Sequence, residues 1–293
     1  MNLHELLSSW LVHLKAERKS PETLKSYSRG VGAFLAWCEA NGVAPSLDRV
    51  SVNAWTASLL DSGAEPSTAR ARQLAVRRFS SWLADEGEID TDQLVRLRPP
   101  RLEHKITPEL SEDQLGNLIK ACSGKRLVDR RDEAIIRFMI ETGARAGEVV
   151  AMRTGDADLS GGAVLRKTKS ARARTVPFSP KTAQALDRYL RLRKGHRLAD
   201  TDTLWLGAQG RGLSYDGLYS ALKARAKDAG IEDFHPHLLR HTAAARWLAA
   251  GGSEGGLMSV AGWTRRDMLD RYTRASSEKR AAEEARRLGL GEF

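Results

Sequence analysis

Apolar residues recur every three or four positions through most of the first 95 residues, the spacing that places them on one face of an amphipathic helix. Four such stretches follow one another. In three of them the apolar positions are Leu3, Leu6, Leu7, Trp10, Leu11 and Leu14, then Leu24, Tyr27, Val31, Phe34 and Cys38, and finally Leu74, Val76, Phe79, Trp82 and Leu83. We predict a four-helix bundle in which Ser20-Pro21-Glu22 opens the second helix, residues 51–61 form the third, and Ser67 opens the fourth.

The remainder of the chain combines helical periods with one short β pattern. Helical stretches are predicted at 131–141, 146–153, 214–228, 236–250, 254–261 and 265–272, after Ser179-Pro180, and in a tail at 277–288. Residues 163–167 and 173–178 predict two strands joined by a basic turn. The predicted fold class is therefore mainly α, with an N-terminal four-helix bundle and a mixed α+β second domain that contains a small sheet.

A proline-containing segment separates the two halves. Pro99, Pro100 and Pro108 are excluded from helix interiors, and the surrounding residues are basic, which favours an extended linker that lies close to a polyanion. Ser111-Glu-Asp-Gln114 then fits a capping box that opens the next helix. We expect a first domain at 1–95, a linker at 96–108 and a second domain at 109–293.

The net charge of +10 indicates a polyanionic partner, for which DNA, RNA or an anionic membrane surface would each fit. Acidic residues slightly outnumber basic ones before residue 96, so the whole positive excess lies in the linker and the second domain. No apolar run is long enough to span a bilayer, and the N-terminus lacks the pattern of a signal peptide. Two cysteines in apolar helical contexts favour buried thiols in a reducing compartment and argue against a structural zinc site.

The first domain nevertheless carries local basic clusters, which are either phosphate contacts or an ordinary solvated surface. They consist of Lys15, Arg18 and Lys19 on the first helix and Arg70, Arg72, Arg77 and Arg78 on the fourth.

Each residue of the second domain that could take part in catalysis or metal binding also has an ordinary structural explanation. Arg145 follows a glycine, and Glu148 three residues later is a typical helix-surface partner. His237 and His241 have the spacing of a metal pair, but the glutamate that accompanies that pattern in zinc enzymes is replaced by Leu238. An isolated tyrosine or tryptophan, such as Tyr272 or Trp263, is more often a packing residue.

The order and spacing of these segments resemble the tyrosine recombinases of the phage integrase and Xer type. That family has an arginine in Thr-Gly-x-Arg-x-x-Glu, a lysine in a β-hairpin, His-x-x-Arg-His, a Gly-His or Gly-Trp, and a tyrosine nine residues further on. Here the matches are Thr142-Gly-Ala-Arg145-Ala-Gly-Glu148, Lys169, His237-Leu-Leu-Arg240-His241, Gly262-Trp263 and Tyr272. Trp263 replaces the commoner histidine, Gly147 stands where serine is frequent, and the arm-binding domain of larger integrases has no counterpart.

The resemblance implies a role for each matched residue. Tyr272 would be the nucleophile, Arg145 and Arg240 would bind the charged transition state, His237 would accept the phenolic proton, and Lys169 would protonate the leaving oxygen. Trp263 would hold a phosphate oxygen through its indole N–H or pack beside the tyrosine. Glu148 and His241 would support these groups. The residues of the hairpin expected to contact DNA are Lys167, Arg172 and Arg174. No metal and no cofactor is expected.

The function that these patterns predict is site-specific DNA recombination, by the integrase of a phage or other mobile element. A chromosomal Xer-like recombinase, a catalytically silent DNA-binding relative and a type IB topoisomerase are the alternatives. Expected partners are double-stranded recombination sites, further copies of the chain in a tetramer on DNA, and a directionality factor, with no membrane and a location in the bacterial cytoplasm. The apolar face of the tail, at Ala281, Ala282, Ala285 and Leu288, would cap its own domain or pack on a neighbouring protomer.

Overall fold

The computed structural model describes residues 2–102, 108–166, 173–208, 210–266, 268–269 and 286. The chain divides into two units, Met1–Lys105 and Ile106–Phe293. Helices dominate both units, and the described strands form one antiparallel sheet of three strands. This architecture confirms the predicted fold class. None of the helices in the described ranges combines the length and apolar character needed to cross a membrane.

Four helices build the first unit, as predicted: α1 (Leu3–Ala16), α2 (Pro21–Ala40), α3 (Arg49–Asp61) and α4 (Pro66–Asp85). Ser20 caps α2 as expected, since its side chain accepts from the N–H of Thr23. The third helix begins two residues earlier than predicted, because Asp48 accepts a 2.8 Å bond from the N–H of Ser51 and so acts as its cap.

The core of this bundle is aromatic and is closed by a tight crossing of α2 and α4. Trp10, Phe34 and Phe79 are buried, and a Cβ added to Gly30 would lie 2.5 Å from the Cβ of Ala75. The prediction that Leu74 belongs to the core was wrong, since its side chain is 40% exposed. Ala75 occupies the inward position instead, because only a small residue fits against Gly30.

The chain stays on the bundle beyond the predicted start of the linker. Leu94 and Leu97 are both buried in the core of the first unit. Arg77 donates to the carbonyl of Val95 and so joins this segment to α4. The first residues of the predicted linker, up to Leu97, therefore belong to the bundle, and residues 103–107 lie outside the described ranges.

The second unit surrounds its sheet with seven described helices. They are α5 (Glu112–Lys120), α6 (Leu127–Thr142), α7 (Ala146–Val150), α8 (Pro180–Arg193), α9 (Tyr215–Asp228), α10 (Pro236–Ala249) and α11 (Glu254–Ala261). The predicted capping box of Ser111 and Gln114 is present at α5. α6 is longer than expected because it begins at Leu127, with Asp129 accepting from the N–H of Arg126. α7 is shorter than the predicted helix at 146–153.

The sheet contains β1 (Ala157–Asp158), β2 (Gly162–Leu165) and β3 (Arg174–Pro177), in that order. β2 and β3 are the two predicted strands, each shorter than expected, and Ala163 pairs with Val176 between them. β1 was missed because two residues carry no alternating pattern. The predicted basic turn of the hairpin lies outside the described residues, and so does the predicted tail helix except for residue 286. The helix predicted at 265–272 is described only at residues 265, 266, 268 and 269.

A half-buried arginine joins α9 to the first half of α6. Arg225 donates to Asp129 at 2.7 Å, to Asp132 at 3.0 Å and to the carbonyl of Ala121 at 3.0 Å. The hydrogen bond from Arg126 lowers the pKa of Asp129 to about 2, and the bond from Arg225 acts in the same direction.

This shift predicts a loss of stability in acid. A depressed carboxyl pKa contributes stability that is complete above the ordinary value of 3.8 and is lost as the pH falls toward about 2. We expect the free energy of unfolding of the second unit to drop by about 2 kcal/mol across that interval. Urea titrations at successive pH values would measure it, and the step should be absent in Asp129→Asn. An equal step in that variant would assign the loss to other carboxylates.

Candidate active site

Arg240 on α10 lies where two helix ends meet. Its Nη1 donates to the carbonyl of Gly143 at 2.6 Å and its Nη2 donates to the carbonyl of Ala261 at 2.8 Å. Gly143 ends α6 and Gly262 ends α11, both in the left-handed conformation with φ of 62° and 65°. Because the carbonyl ends of helices carry partial negative charge, they hold the guanidinium in one orientation. Arg240 is only 2% exposed, so the protein itself sets its direction.

Trp263 packs its ring on the same guanidinium. The Cζ atom of Arg240 lies 5.3 Å from the ring centroid of Trp263, which is the geometry of a cation–π contact. Trp263 is buried in an apolar cluster that includes Leu248, Leu257 and Leu269. The contact with Arg240 differs from both roles that the resemblance implies for Trp263, a hydrogen bond to a phosphate oxygen and packing beside Tyr272. The sequence position of Trp263, directly after a helix-ending glycine, carries no signal for it.

Arg145 is the N-cap of α7 and pairs with a buried carboxylate. Its backbone N–H donates to Oε2 of Glu148 at 2.8 Å, and its Nη1 lies 3.2 Å from Oε1. The side chain of Arg145 is 36% exposed, whereas that of Glu148 is 0% exposed. The expected pair therefore exists, but the alternative of an ordinary helix-surface pair is wrong, because the glutamate lies inside the domain. Arg145 remains accessible to a ligand beside the fixed Arg240.

Arg174 on β3 is the second partner of Glu148. Its Nη1 and Nη2 donate to the two oxygens of Glu148 at 2.8 and 2.9 Å, and its Nε donates to the carbonyl of Val260 at 2.7 Å. The side chain is 10% exposed and its three guanidinium nitrogens donate to protein acceptors, while the expected contact of Arg174 with DNA stays a prediction. Alternate residues of a strand face opposite sides, and Arg174 shares the inward face with the buried Val176.

The electrostatics of Glu148 follow from these contacts. Burial by itself would raise the pKa of this carboxyl, but the hydrogen bonds from Arg174 and from the backbone N–H of Arg145 outweigh it. The pKa of Glu148 therefore lies below its ordinary value, and the carboxylate stays ionised at neutral pH.

His237 and His241 share one side of α10. The two rings meet edge to face with centroids 4.6 Å apart, and His237 is exposed one turn before Arg240. In the part of the chain that the structure describes, no group of three or more His, Cys, Asp or Glu side chains is placed to hold a metal ion. Of the two histidines, His237 is the exposed one, three residues before Arg240 on the same helix.

The remaining candidates fall into two groups. Lys169, Tyr272, Lys167 and Arg172 lie outside the described residues. In the first unit the exposed candidates are Lys15, Arg18, Lys19, Arg70 and Arg78, while Arg72 and Arg77 are half-buried.

Sequence reasoning missed a cleft between the N-terminal halves of α2 and α4. Lys25, Arg29 and Arg72 line it together with Glu22 and Thr68, so three cations face one open groove. Lys25 and Arg29 are four residues apart, which places them on one face of α2, and that spacing was the available signal.

Comparison with known proteins places these features in a family. The model of the phage integrase family matches residues 108–279, and that of the phage integrase N-terminal SAM-like domain matches residues 7–87. Tyrosine recombinase XerC of Pseudomonas fluorescens is 31% identical over 246 residues, which cover 83% of this chain and 82% of that protein. XerC of Pelotomaculum thermopropionicum is 28% identical over 93% of this chain and 94% of its own length.

Solved structures agree on the fold. The Tn1549 transposon integrase in complex with transposon right end DNA superposes with a TM-score of 0.73 at 18% identity, covering 98% of this chain and 99% of that one. A lambda integrase dimer bound to a core site has a TM-score of 0.73 at 16% identity, with coverage of 93% and 95%. At these identities the likeness concerns the fold alone. Since the catalytic family model spans more than half of the chain and XerC is 31% identical over most of it, this protein belongs to the phage integrase family and is a tyrosine-type site-specific DNA recombinase.

Proposed function

We propose that this recombinase cuts and rejoins DNA through a covalent 3′-phosphotyrosine bond to Tyr272, without a metal ion or ATP. The observation that carries the proposal is the contact of Arg240 with Gly143 and Ala261, because it joins three separate motifs of the chain at one point. Arg145 follows Gly143 by two residues, and the segment that leads to Tyr272 begins after Ala261.

The two arginines suit the charge that develops during attack on a phosphodiester. Negative charge in the transition state spreads over the nonbridging oxygens, and guanidinium groups bind such oxygens with two parallel donors. Arg240 supplies a pre-oriented group held by helix ends, and Arg145 supplies an accessible one. Trp263 serves Arg240 by packing on it, which makes Trp263 a positioning residue in this proposal.

The proton transfers are assigned to His237 and Lys169. As the bond between the Tyr272 oxygen and phosphorus forms, the phenolic proton passes to His237, because a phenol with a pKa of about 10 is a weak nucleophile at neutral pH. The bond from phosphorus to the 5′ oxygen breaks, and Lys169 gives that oxygen its proton. Attack by the 5′ hydroxyl of a second strand reverses these steps and rejoins the DNA without ATP.

The first unit is proposed to hold the DNA backbone. Lys25, Arg29 and Arg72 form a local basic cleft in a unit whose residues before 96 are acidic in sum, and phosphate binding depends on the local field. The exposed cations of α1 and α4 would add contacts outside the cleft. The affinity for DNA should therefore fall with rising salt and should weaken in Arg29→Ala.

Two biological roles remain candidates within this chemistry. Our first proposal is that the protein is the integrase of a phage or mobile element. Its fold is similar to those of the Tn1549 and lambda integrases. The identity of 31% to a XerC recombinase favours a Xer-type role as the second. Incubation with DNA that flanks the gene separates them: recombination between the flank and a distant site would support the mobile-element role, and resolution of two identical sites would support the other.

Self-assembly is proposed to take place on DNA. A lambda integrase has been solved as a tetramer bound to a Holliday junction, and we propose a tetramer for this chain on paired recombination sites, with a directionality factor as a further partner. Native mass measurement of the complex on paired sites would test the tetramer, with a stable dimer as the contrary result.

The absence of a metal requirement gives a direct prediction. Cleavage in EDTA is expected to match cleavage in magnesium within about twofold at fixed ionic strength, because side chains supply the charge stabilisation and only affinity responds to salt. Covalent capture on a nicked substrate under both conditions would measure it. A strict need for a divalent ion in the cleavage step would contradict the proposed mechanism.

A further inference from the structure

Arg174 touches three segments of the second unit at once. It binds both oxygens of Glu148 on α7, it donates to the carbonyl of Val260 in the last turn of α11, and it lies against Gly262. A Cβ added to Gly262 would lie 2.9 Å from Nη1 of Arg174 and 3.0 Å from its Cζ. Strand β3 is therefore tied to the C-terminal end of α11, directly before Trp263.

The carboxylate of Glu148 is shared between two arginines. Each of its oxygens accepts one bond from Arg145 and one from Arg174, and at Oε1 the bond from Arg174 is shorter, 2.8 Å against 3.2 Å. A carboxylate oxygen has two main acceptor directions, so the four bonds use its capacity. Arg145 thus reaches Glu148 with one side-chain bond.

We propose that Arg174 is a positioning residue for Arg145. Because Arg174 binds both oxygens of Glu148, that carboxylate cannot form a bidentate salt bridge with Arg145. The guanidinium group of Arg145 is thereby left directed toward the scissile phosphate. This inference rests on the proposed function, in which Arg145 binds the transition state.

The physical consequence of removing Arg174 is specific. Glu148 would remain buried with Arg145 as its only described arginine partner, and a buried carboxylate that loses a partner strongly attracts the cation that remains. Arg145 would turn inward to form the second bond. DNA binding by the rest of the protein would persist, but the transition state would lose a guanidinium.

The experiment measures two quantities on a nicked substrate from the DNA that flanks the gene: the dissociation constant, and the rate of covalent attachment at saturating protein. Arg174→Ala should bind within about threefold of the wild type and cleave about 100-fold more slowly, as expected for a misplaced catalytic group. Adding Glu148→Gln to Arg174→Ala should raise the rate about tenfold, because the neutral amide no longer captures Arg145. A purely structural role for Arg174 predicts no such recovery.

A matched control comes from another arginine that bridges buried carboxylates, Arg225 on α9. Arg225 joins two buried carboxylates across helices, but it contacts α6 near Asp132, about 16 Å along that helix from Gly143 at 1.5 Å per residue. Arg225→Ala should be less stable and should still cleave at the wild-type rate at a temperature where it is folded. An equal slowing in Arg225→Ala would assign the effect of Arg174→Ala to general destabilisation and overturn the inference.

Arg174→Lys keeps the positive charge at this position, and it keeps the inference testable if Arg174→Ala fails to fold. A lysine cannot hold both oxygens of Glu148 and the carbonyl of Val260 in the planar geometry of arginine, so cleavage should fall to an intermediate rate. Wild-type cleavage by Arg174→Lys, or no recovery on adding Glu148→Gln to Arg174→Ala, would overturn the inference. A wild-type protein that forms no covalent adduct would instead overturn the proposed function.

Discussion

Tyr272→Phe is expected to bind recombination-site DNA with unchanged affinity and to form no covalent adduct with it. The substitution removes only the phenolic oxygen, so packing by the ring is kept while the atom that attacks phosphorus is lost. No second nucleophile is expected to replace it, and the rate should fall below detection, as it does when an enzyme loses its nucleophile at a cost of about a millionfold. A denaturing gel of protein trapped on a nicked site, with mass spectrometry of the DNA-linked peptide, measures the result.

Tyr215→Phe is the matched control, because it removes the same atom from a tyrosine that is 52% exposed on α9 and belongs to none of the motifs. It should form adducts at the wild-type rate. Adducts that persist in Tyr272→Phe would remove Tyr272 from the role. If the wild type binds the site and also forms no adduct, the catalytically silent alternative becomes the better account.

Apolar periodicity and capping signals together predicted most of the helices. The four helices of the first unit and the capping box at Ser111 follow from apolar spacing and from capping chemistry, which act within a few residues. Leu74 shows where this reasoning stops. Its hydrophobicity placed it in the core, but the close approach of α2 at Gly30 reserves the inward position for Ala75. A crossing between two helices has no signature in either sequence segment.

The candidate site, like the fold, was predicted only in part from the sequence. The motif order pointed to Arg145, His237 and Arg240, and the structure brings Arg145 and Arg240 to one end of α6. The partners that orient them were not predicted, because they come from elements distant in sequence: Val260 lies 86 residues from Arg174 and Ala261 lies 21 residues from Arg240. Charge counting assigned Arg174 to DNA contact and did not predict its inward direction, since a list of basic residues does not show which face of a strand each one occupies.

A substrate with sulfur in place of the 5′ bridging oxygen should separate the roles of Lys169 and the two arginines. On normal DNA, Lys169→Ala, Arg145→Ala and Arg240→Ala should each cleave at least about 100-fold more slowly than the wild type. Sulfur leaves readily without a proton, so the modified substrate does not need the proton transfer that Lys169→Ala has lost. The cleavage rate of Lys169→Ala should therefore return to within about tenfold of the wild-type rate. The two arginine variants should stay slow, since the charge on the nonbridging oxygens is unchanged.

Lys167→Ala provides the control, because Lys167 lies in the same predicted hairpin, two residues before Lys169, and is assigned to DNA contact only. It should weaken binding, cleave normally when protein is saturating, and gain nothing from sulfur. Equal rescue of all three active-site variants would mean that sulfur merely accelerates every reaction and would reject the division of roles. Rescue of Lys167→Ala in place of Lys169→Ala would move the general acid two residues along the hairpin while leaving the assignments of Arg145 and Arg240 intact, because those rest on the charge of the transition state and not on the leaving group.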